Sequence, residues 1–312
     1  MFLTFLRPLA SHPLVGRGSL PFPASDEDHP RFNPEWFVPY DVEGAKKLLA
    51  EAIRRKARTS LGYRIYYCRI CKRRFNERTA TPFNDLQFPA DIVLMAVLWR
   101  LRYKLGFRDV AELLLQRGFE ISHETVRIWE FRFTPEVAES LRRRRRGHAG
   151  RSWYLDETYL RVNGRWCYLY RAIDRDGNLL DTMLSDHRDK HAARRFLRRL
   201  LEISNRRPLR LTTDKHPAYR KAIRWIIGTK ALHRTGQYLN NRTEQSHRPI
   251  KQRYYPMLGF GRFQSVSRFC TAFDELRNYL RIRTTASRPV ASSEKRRIFK
   301  QRWSTLMAVL SA

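Results

Sequence analysis

Two runs rich in β-branched and aromatic residues, SWYLDETYLRV from Ser152 and RWCYLYRAID from Arg165, are separated only by Asn163-Gly164. That dipeptide takes up the left-handed backbone of a two-residue turn with little strain. It therefore predicts an antiparallel hairpin in a fixed register. A second turn, from Arg175 to Asn178, leads into LLDTMLS, a third strand. A helix is predicted from about Asp189 to Ile203, where Ala192, Phe196, Leu197 and Leu200 make an apolar stripe among arginines. LRLTTD then reads as a strand and PAYRKAIRWI as a helix with Pro217 in its first turn. KALHR is a short strand, and YLNNRTEQSHRPIKQRYY carries the last helix of the series.

The order is three antiparallel strands, helix, strand, helix, strand, helix. This predicts an α/β domain of ribonuclease-H-like (DDE/integrase-type) order, its sheet covered by helices. In that topology the first and fourth strands are neighbours at the sheet centre. Asp156 lies within the first strand, Asp214 closes the fourth, and Glu244 sits in the first turn of the helix after the fifth. Convergence of the three carboxylates predicts a site for hard divalent cations, Mg²⁺ or Mn²⁺, which take oxygen ligands. Two such ions about 3.5–4 Å apart suit in-line phosphoryl transfer. Glu157 faces the other side of its strand, so its expected role is surface charge or support of its neighbours. If Asn241 caps the last helix, Glu244, His247, Arg248 and Lys251 share one face. Pro249 lacks the N–H that a regular helix needs there, which predicts a kink or restart before Lys251.

Composition indicates the partner. Lysine plus arginine number 62 against 30 acidic residues, a formal net charge of +32. Counterion release makes a polyanion, nucleic acid above all, the expected ligand. A membrane is not expected, because no apolar run approaches the ~18 residues needed to span one. The apolar start MFLTFLRPLA lacks the marks of a signal peptide. Cys68, Cys71, Cys167 and Cys270 are too few for a disulfide framework, which fits a cytoplasmic setting.

Upstream, residues 1–40 read as a disordered leader rich in Pro, Ser and Gly. Residues 41–88 read as a basic helix, from Asp41 to about Ala57, followed by a hairpin with Cys68-x-x-Cys71 at its tip. That spacing is half of a zinc site and suggests a zinc-finger-like element. Residues 89–140 hold helical runs in ADIVLMAVLWRLRYK and FRDVAELLLQRG, then Ser122 as an N-cap before HETVRIWEFRF. Helix, short glycine-containing turn and helix predict a helix-turn-helix that presents His123, Thr125, Arg127 and Arg132 to a DNA groove. The arginines Arg142, Arg143, Arg144, Arg145 and Arg146 read as a linker, residues 141–151, that also binds phosphates. Residues 284–312 are left as a C-terminal tail. The aromatics after the last helix read mainly as core, with Tyr254 and Tyr255 the pair expected near DNA.

WYLDETYLRVNGRWCYLYRAIDRDGNLLD, LTTDKHPAYRKAI, HRTGQYLNNRTEQSHRPIKQRYYPMLGFGRF and FCTAFDELRNYLR together resemble the bacterial DDE transposases of insertion-sequence family six. The resemblance covers roughly residues 88–283. It implies that Asp156, Asp214 and Glu244 are a metal-binding triad and that Lys251 is the lysine following the glutamate. It implies strand cleavage at element ends, transfer of the 3′-hydroxyl to target DNA, and recognition of terminal inverted repeats by the helix-turn-helix. It further implies a homodimer or higher synaptic complex working on the nucleoid, with Arg248 near DNA. This chain departs from the family pattern in having Ser246 where an acidic residue is usual, Pro249 where a small or flexible one is, and a short interval between Asp214 and Glu244. Two other readings use the same residues: a DNA-binding protein derived from a transposase but without cleavage, and a nuclease for RNA–DNA hybrids.

Overall fold

The computed structural model describes residues 53–68, 72–76, 78–79, 81–236, 241–255, 260–284 and 289–311, and the backbone alone for 53–56 and 241–245. The leader expected at 1–40 lies outside them. The chain divides into two compact units, one ending at Ile92 and the other running from Val93 to Ser311.

The first unit holds a three-stranded antiparallel sheet: β1 (Ile53–Arg58), β2 (Arg64–Cys68) and β3 (Arg74–Phe75). The helix expected to reach Ala57 is therefore wrong over its last residues, where Arg54 pairs with Tyr67 and Arg58 with Arg64. Helical spacing of basic residues is overridden by a turn at Gly62, whose φ of 83° suits glycine, and by a strand waiting beyond it. β2 and β3 form the hairpin expected around the cysteines, with the Cys68 N–H donating to the Arg73 carbonyl at 2.9 Å. Cys68 is buried; Cys71, the other half of the expected zinc pair, lies outside the described residues.

The second unit opens with helices α1 (Ala90–Arg102), α2 (Phe107–Leu115) and α3 (His123–Arg145). Ser122 caps α3 as expected, its hydroxyl accepting the Thr125 N–H at 3.2 Å. Val110, Leu114, Val126 and Trp129 are buried between α2 and α3. α3 then runs on through Pro135 to Arg145. The arginine run expected as a linker is thus the last turn of a helix with Arg146 as its C-cap. Tertiary contact explains it: α3 lies along α7 (Phe263–Leu280), and Arg145 forms a two-pronged pair with buried Glu275, both bonds 2.6 Å.

The central sheet has the strand order β6-β5-β4-β7-β8, made of β4 (Ser152–Val162), β5 (Arg165–Asp174), β6 (Leu179–Ser185), β7 (Arg210–Thr213) and β8 (Leu232–Thr235). β4, β5 and β6 are antiparallel; β7 and β8 join parallel to β4. This is the ribonuclease-H-like arrangement. Asn163 and Gly164 make the turn with φ of 46° and 77°. α4 (Lys190–Ser204) and α5 (Pro217–Ile226) pack on the face bearing Trp153, Leu155 and Tyr170. α7 meets the opposite face, where its Asp274 pairs with Arg171 of β5 at 3.2 Å. α6 (Asn241–Tyr254) crosses beside β4. The expected tail contains a helix, α8 (Ser292–Ser311), whose Arg302 donates to the Tyr279 and Arg281 carbonyls at the end of α7. Among the described residues, no helix is long and apolar enough to cross a membrane.

Candidate active site

β4 is long and β7 is short. β7 pairs with β4 only from Ser152 to Tyr154, so along that edge β4 runs on without a described strand until Val162 bridges Phe260. Asp156 lies just beyond the last pair, and Asp214 directly follows β7. Polar groups gather at such a point, where neighbouring strands part and side chains can reach a common space. Carboxylate oxygens of Asp156, Glu157 and Asp214 all lie within 4.8 Å of one another. Oxygen donors this close repel unless cations stand between them, and they suit a hard divalent ion.

The cation among these groups in the structure is Arg188, which follows β6. Its guanidinium donates to Asp214 Oδ2 at 2.9 Å and forms an ion pair with Glu157. Partial burial works against the Arg188 charge, but Glu157 outweighs it and raises the pKa. Asp214 also accepts the His216 N–H at 3.1 Å, which fixes the turn into α5.

Of the two roles expected for Glu157, surface charge and support of its neighbours, its burial favours the second. Besides Arg188 it accepts a 2.5 Å hydrogen bond from the Tyr219 hydroxyl of α5. Burial pushes its pKa up, while Tyr219 and Arg188 pull the other way. Both its oxygens are therefore taken by the protein. Asp156, on the opposite side of the strand, is partly buried, with His247 Nε2 at 3.5 Å from Oδ2. Burial lowers the His247 pKa despite Asp156 beside it.

α6 is continuous from Asn241 to Tyr254, so the break expected at Pro249 does not occur. Contacts on both sides of the proline hold it. Arg171 donates to the Ser246 carbonyl, Ile250 is fully buried, and the Tyr254 hydroxyl accepts the Arg161 N–H at 3.0 Å. Glu244 lies in the first turn of this helix, one turn before His247. Lys251 and Arg248 are exposed.

The expected DNA-contact residues fall into two groups. His123, Thr125 and Arg127 lie in the first turns of α3 and Arg132 in its third, with Arg127 and Arg132 exposed. Of the arginine run, Arg143 is exposed, but Arg142 and Arg145 turn inward to Asp181 and Glu275. Phe269 is buried, as expected of a core aromatic; of the pair expected near DNA, Tyr254 packs on Phe260 and Tyr255 is exposed. Sequence reasoning missed Arg188 altogether, since it sits in a charged loop with no pattern of its own. It had placed His247 on the Glu244 face without a role; the contact with Asp156 requires the sheet.

The profile of a family described as "DDE domain" matches residues 150–283. The transposase for insertion sequence-like element IS431mec from Staphylococcus aureus is 38% identical over 175 residues, which span 55% of this chain and 77% of that protein. The transposase for insertion sequence element IS257 in transposon Tn4003, from the same species, matches to the same extent. Among solved structures, the HTLV-2 integrase catalytic core domain in complex with magnesium is similar at 14% identity and a TM-score of 0.34, over 51% of this chain and 98% of that one. On its sequence relatives and its DDE domain, this chain belongs to the insertion-sequence-six family of DDE transposases.

Proposed function

We propose that Asp156, Asp214 and Glu244 are the divalent-metal ligands of this DDE transposase, a polynucleotidyl transferase. The supporting observation is the meeting of Asp156 and Asp214 where β4 outruns β7, with α6 laid beside them. Asp156 and Asp214 offer oxygens on a partly open rim, and Glu244 supplies the third carboxylate from α6. Bound Mg²⁺ or Mn²⁺, as a pair of ions, would activate the attacking oxygen and stabilise the leaving one. Around them this chain's own groups do the positioning. Glu157 and Tyr219 hold Arg188 at the rim, where its cation can offset charge on a phosphate. Exposed Lys251 and Arg248 on α6 face solvent, where a DNA backbone can reach them.

On this reading the substrate is double-stranded DNA at the element's terminal inverted repeats, then target DNA. The start of α3, with His123, Thr125, Arg127 and Arg132, reads the repeats as a helix-turn-helix would, and Arg143 and Arg144 add phosphate contacts. A homodimer or larger synaptic complex brings two ends together, in the cytoplasm on the nucleoid. The test is strand transfer from an end-repeat oligonucleotide, with and without Mg²⁺. Wild type is expected to join it to target DNA only with the metal, and Asp214→Ala not at all. Equal activity of the two proteins would overturn the assignment.

A further inference from the structure

We propose that the exposed aromatic face of the β4–β5 hairpin is a stacking platform for unpaired bases of the DNA strand held at the carboxylates. This rests on the reading of the site given above. Beyond the end of β7, β4 and β5 stay paired, with β6 alongside β5 as far as Tyr168, and their last residues run on as a ribbon. On the side bearing Glu157, successive cross-strand pairs are Glu157 with Tyr170, Tyr159 with Tyr168, and Arg161 with Trp166. Exposure rises along that series: Tyr170 is 1% exposed, Tyr159 47% and Trp166 59%. Tyr159 lies edge-on to both neighbours, with centroids 5.3 Å from Tyr168 and 6.4 Å from Trp166. A core would hide these rings, since a tryptophan or tyrosine can bury about 150–250 Å². Here they stand open to solvent.

Charge and position select the occupant. Arg161, which pairs across the strands with Trp166, is exposed, and the Arg188 guanidinium lies over the Tyr159 ring at 5.9 Å. Arg188 donates to the Tyr159 hydroxyl at 3.1 Å while also holding Asp214, so the first ring is one side chain away from the carboxylates. Ring faces interleaved with guanidinium groups match a polyanion whose bases are unpaired, because base–aromatic stacking tolerates any sequence and cations follow the backbone. A duplex hides its base faces inside the stack, so the platform is for strands opened at the site.

The experiment uses the full chain and two probes at one salt concentration. One is a short oligothymidylate carrying a central fluorescent purine analogue; the other is a blunt duplex. Trp166→Ala is expected to melt like wild type, to bind the single strand about tenfold more weakly and to lose the quenching of the analogue. Its duplex affinity and its salt dependence should be unchanged, since no phosphate contact is removed. Trp166→Phe should restore most of the binding. Unchanged single-strand affinity, or an equal loss on both probes, overturns the proposal. So does a change in sedimentation mass with quenching intact, which would give the face to a second copy of the chain. Wild-type strand transfer is measured alongside. Loss of single-strand binding in Trp166→Ala, with no metal-dependent transfer by wild type, would keep the platform and remove the transposition chemistry. The reverse pattern would remove only the platform.

Discussion

The two sides of β4 carry neighbouring carboxylates and treat them differently. Glu157 is buried, with Arg188 on one oxygen and the Tyr219 hydroxyl on the other. Asp156 is partly open, and its near neighbour is a buried imidazole at 3.5 Å. Both lie in the same cluster of oxygens within 4.8 Å. Proximity therefore does not make a ligand. A buried carboxylate with protein donors on both oxygens is a brace, whereas the partly open Asp156 and Asp214 can be reached by a metal.

The sharpest way to break this comparison is to neutralise each acid in turn. Asp156→Asn should lower strand transfer by about a thousandfold, the scale on which lost electrostatic stabilisation of a transition state is felt. Glu157→Gln should stay within about tenfold, since an amide still accepts from Tyr219 and the proposed metal ligands are untouched. Equal losses in a strand-transfer assay would make Glu157 a ligand and end the distinction.

A second test concerns the support of the Asp156 side. Arg171, paired with Asp156 across the strands, bridges Asp274 and the Ser246 carbonyl of α6. Asp274 is fully buried and also accepts from the Thr182 hydroxyl at 2.5 Å. Arg171→Met should cost about 3–5 kcal/mol in denaturant unfolding, because it strands a buried carboxylate. Replacing Arg171 and Asp274 together by leucine should cost less than either single change. A double variant no more stable than the singles would show that this network acts by shape rather than charge.

The smallest effect is a control away from both sides. Glu130 of α3 is buried at 3.7 Å from Arg100, with Arg268, Arg253 and Arg127 also facing it. Burial raises its pKa despite those cations. The folded chain then holds the Glu130 proton more tightly than the unfolded one, so its contribution falls as pH rises through the folded value. Glu130→Gln should therefore gain in melting temperature over wild type as pH rises above the ordinary glutamate range. A difference that shrinks as pH rises would mean that the arginines, not burial, dominate.

Much of the catalytic domain was legible in residue order. The Asn163-Gly164 turn, the apolar stripe of α4 and the Pro217 start of α5 are local signals, and each element formed close to where it was expected. Asp156 and Asp214 could be paired because strand order follows from element order. The failures share a cause. Residues 53–57 and the arginine run looked local, yet a strand partner at 64–68 and buried Glu275 decided them. Pro249 predicted a break that packing on Arg171, Ile250 and Tyr254 prevents.

By itself, then, the sequence determined the order of strands and helices, the large positive charge and the places of Asp156 within one strand and Asp214 just after another. Periodicity, turn chemistry and net charge act over a few residues or over the whole chain, and both can be read without coordinates. Only the tertiary structure decided which acid is braced and which stands open, that Arg188 lies between Glu157 and Asp214, and that His247 backs Asp156. Those relations join residues far apart in the chain, and they depend on burial, which no local pattern carries.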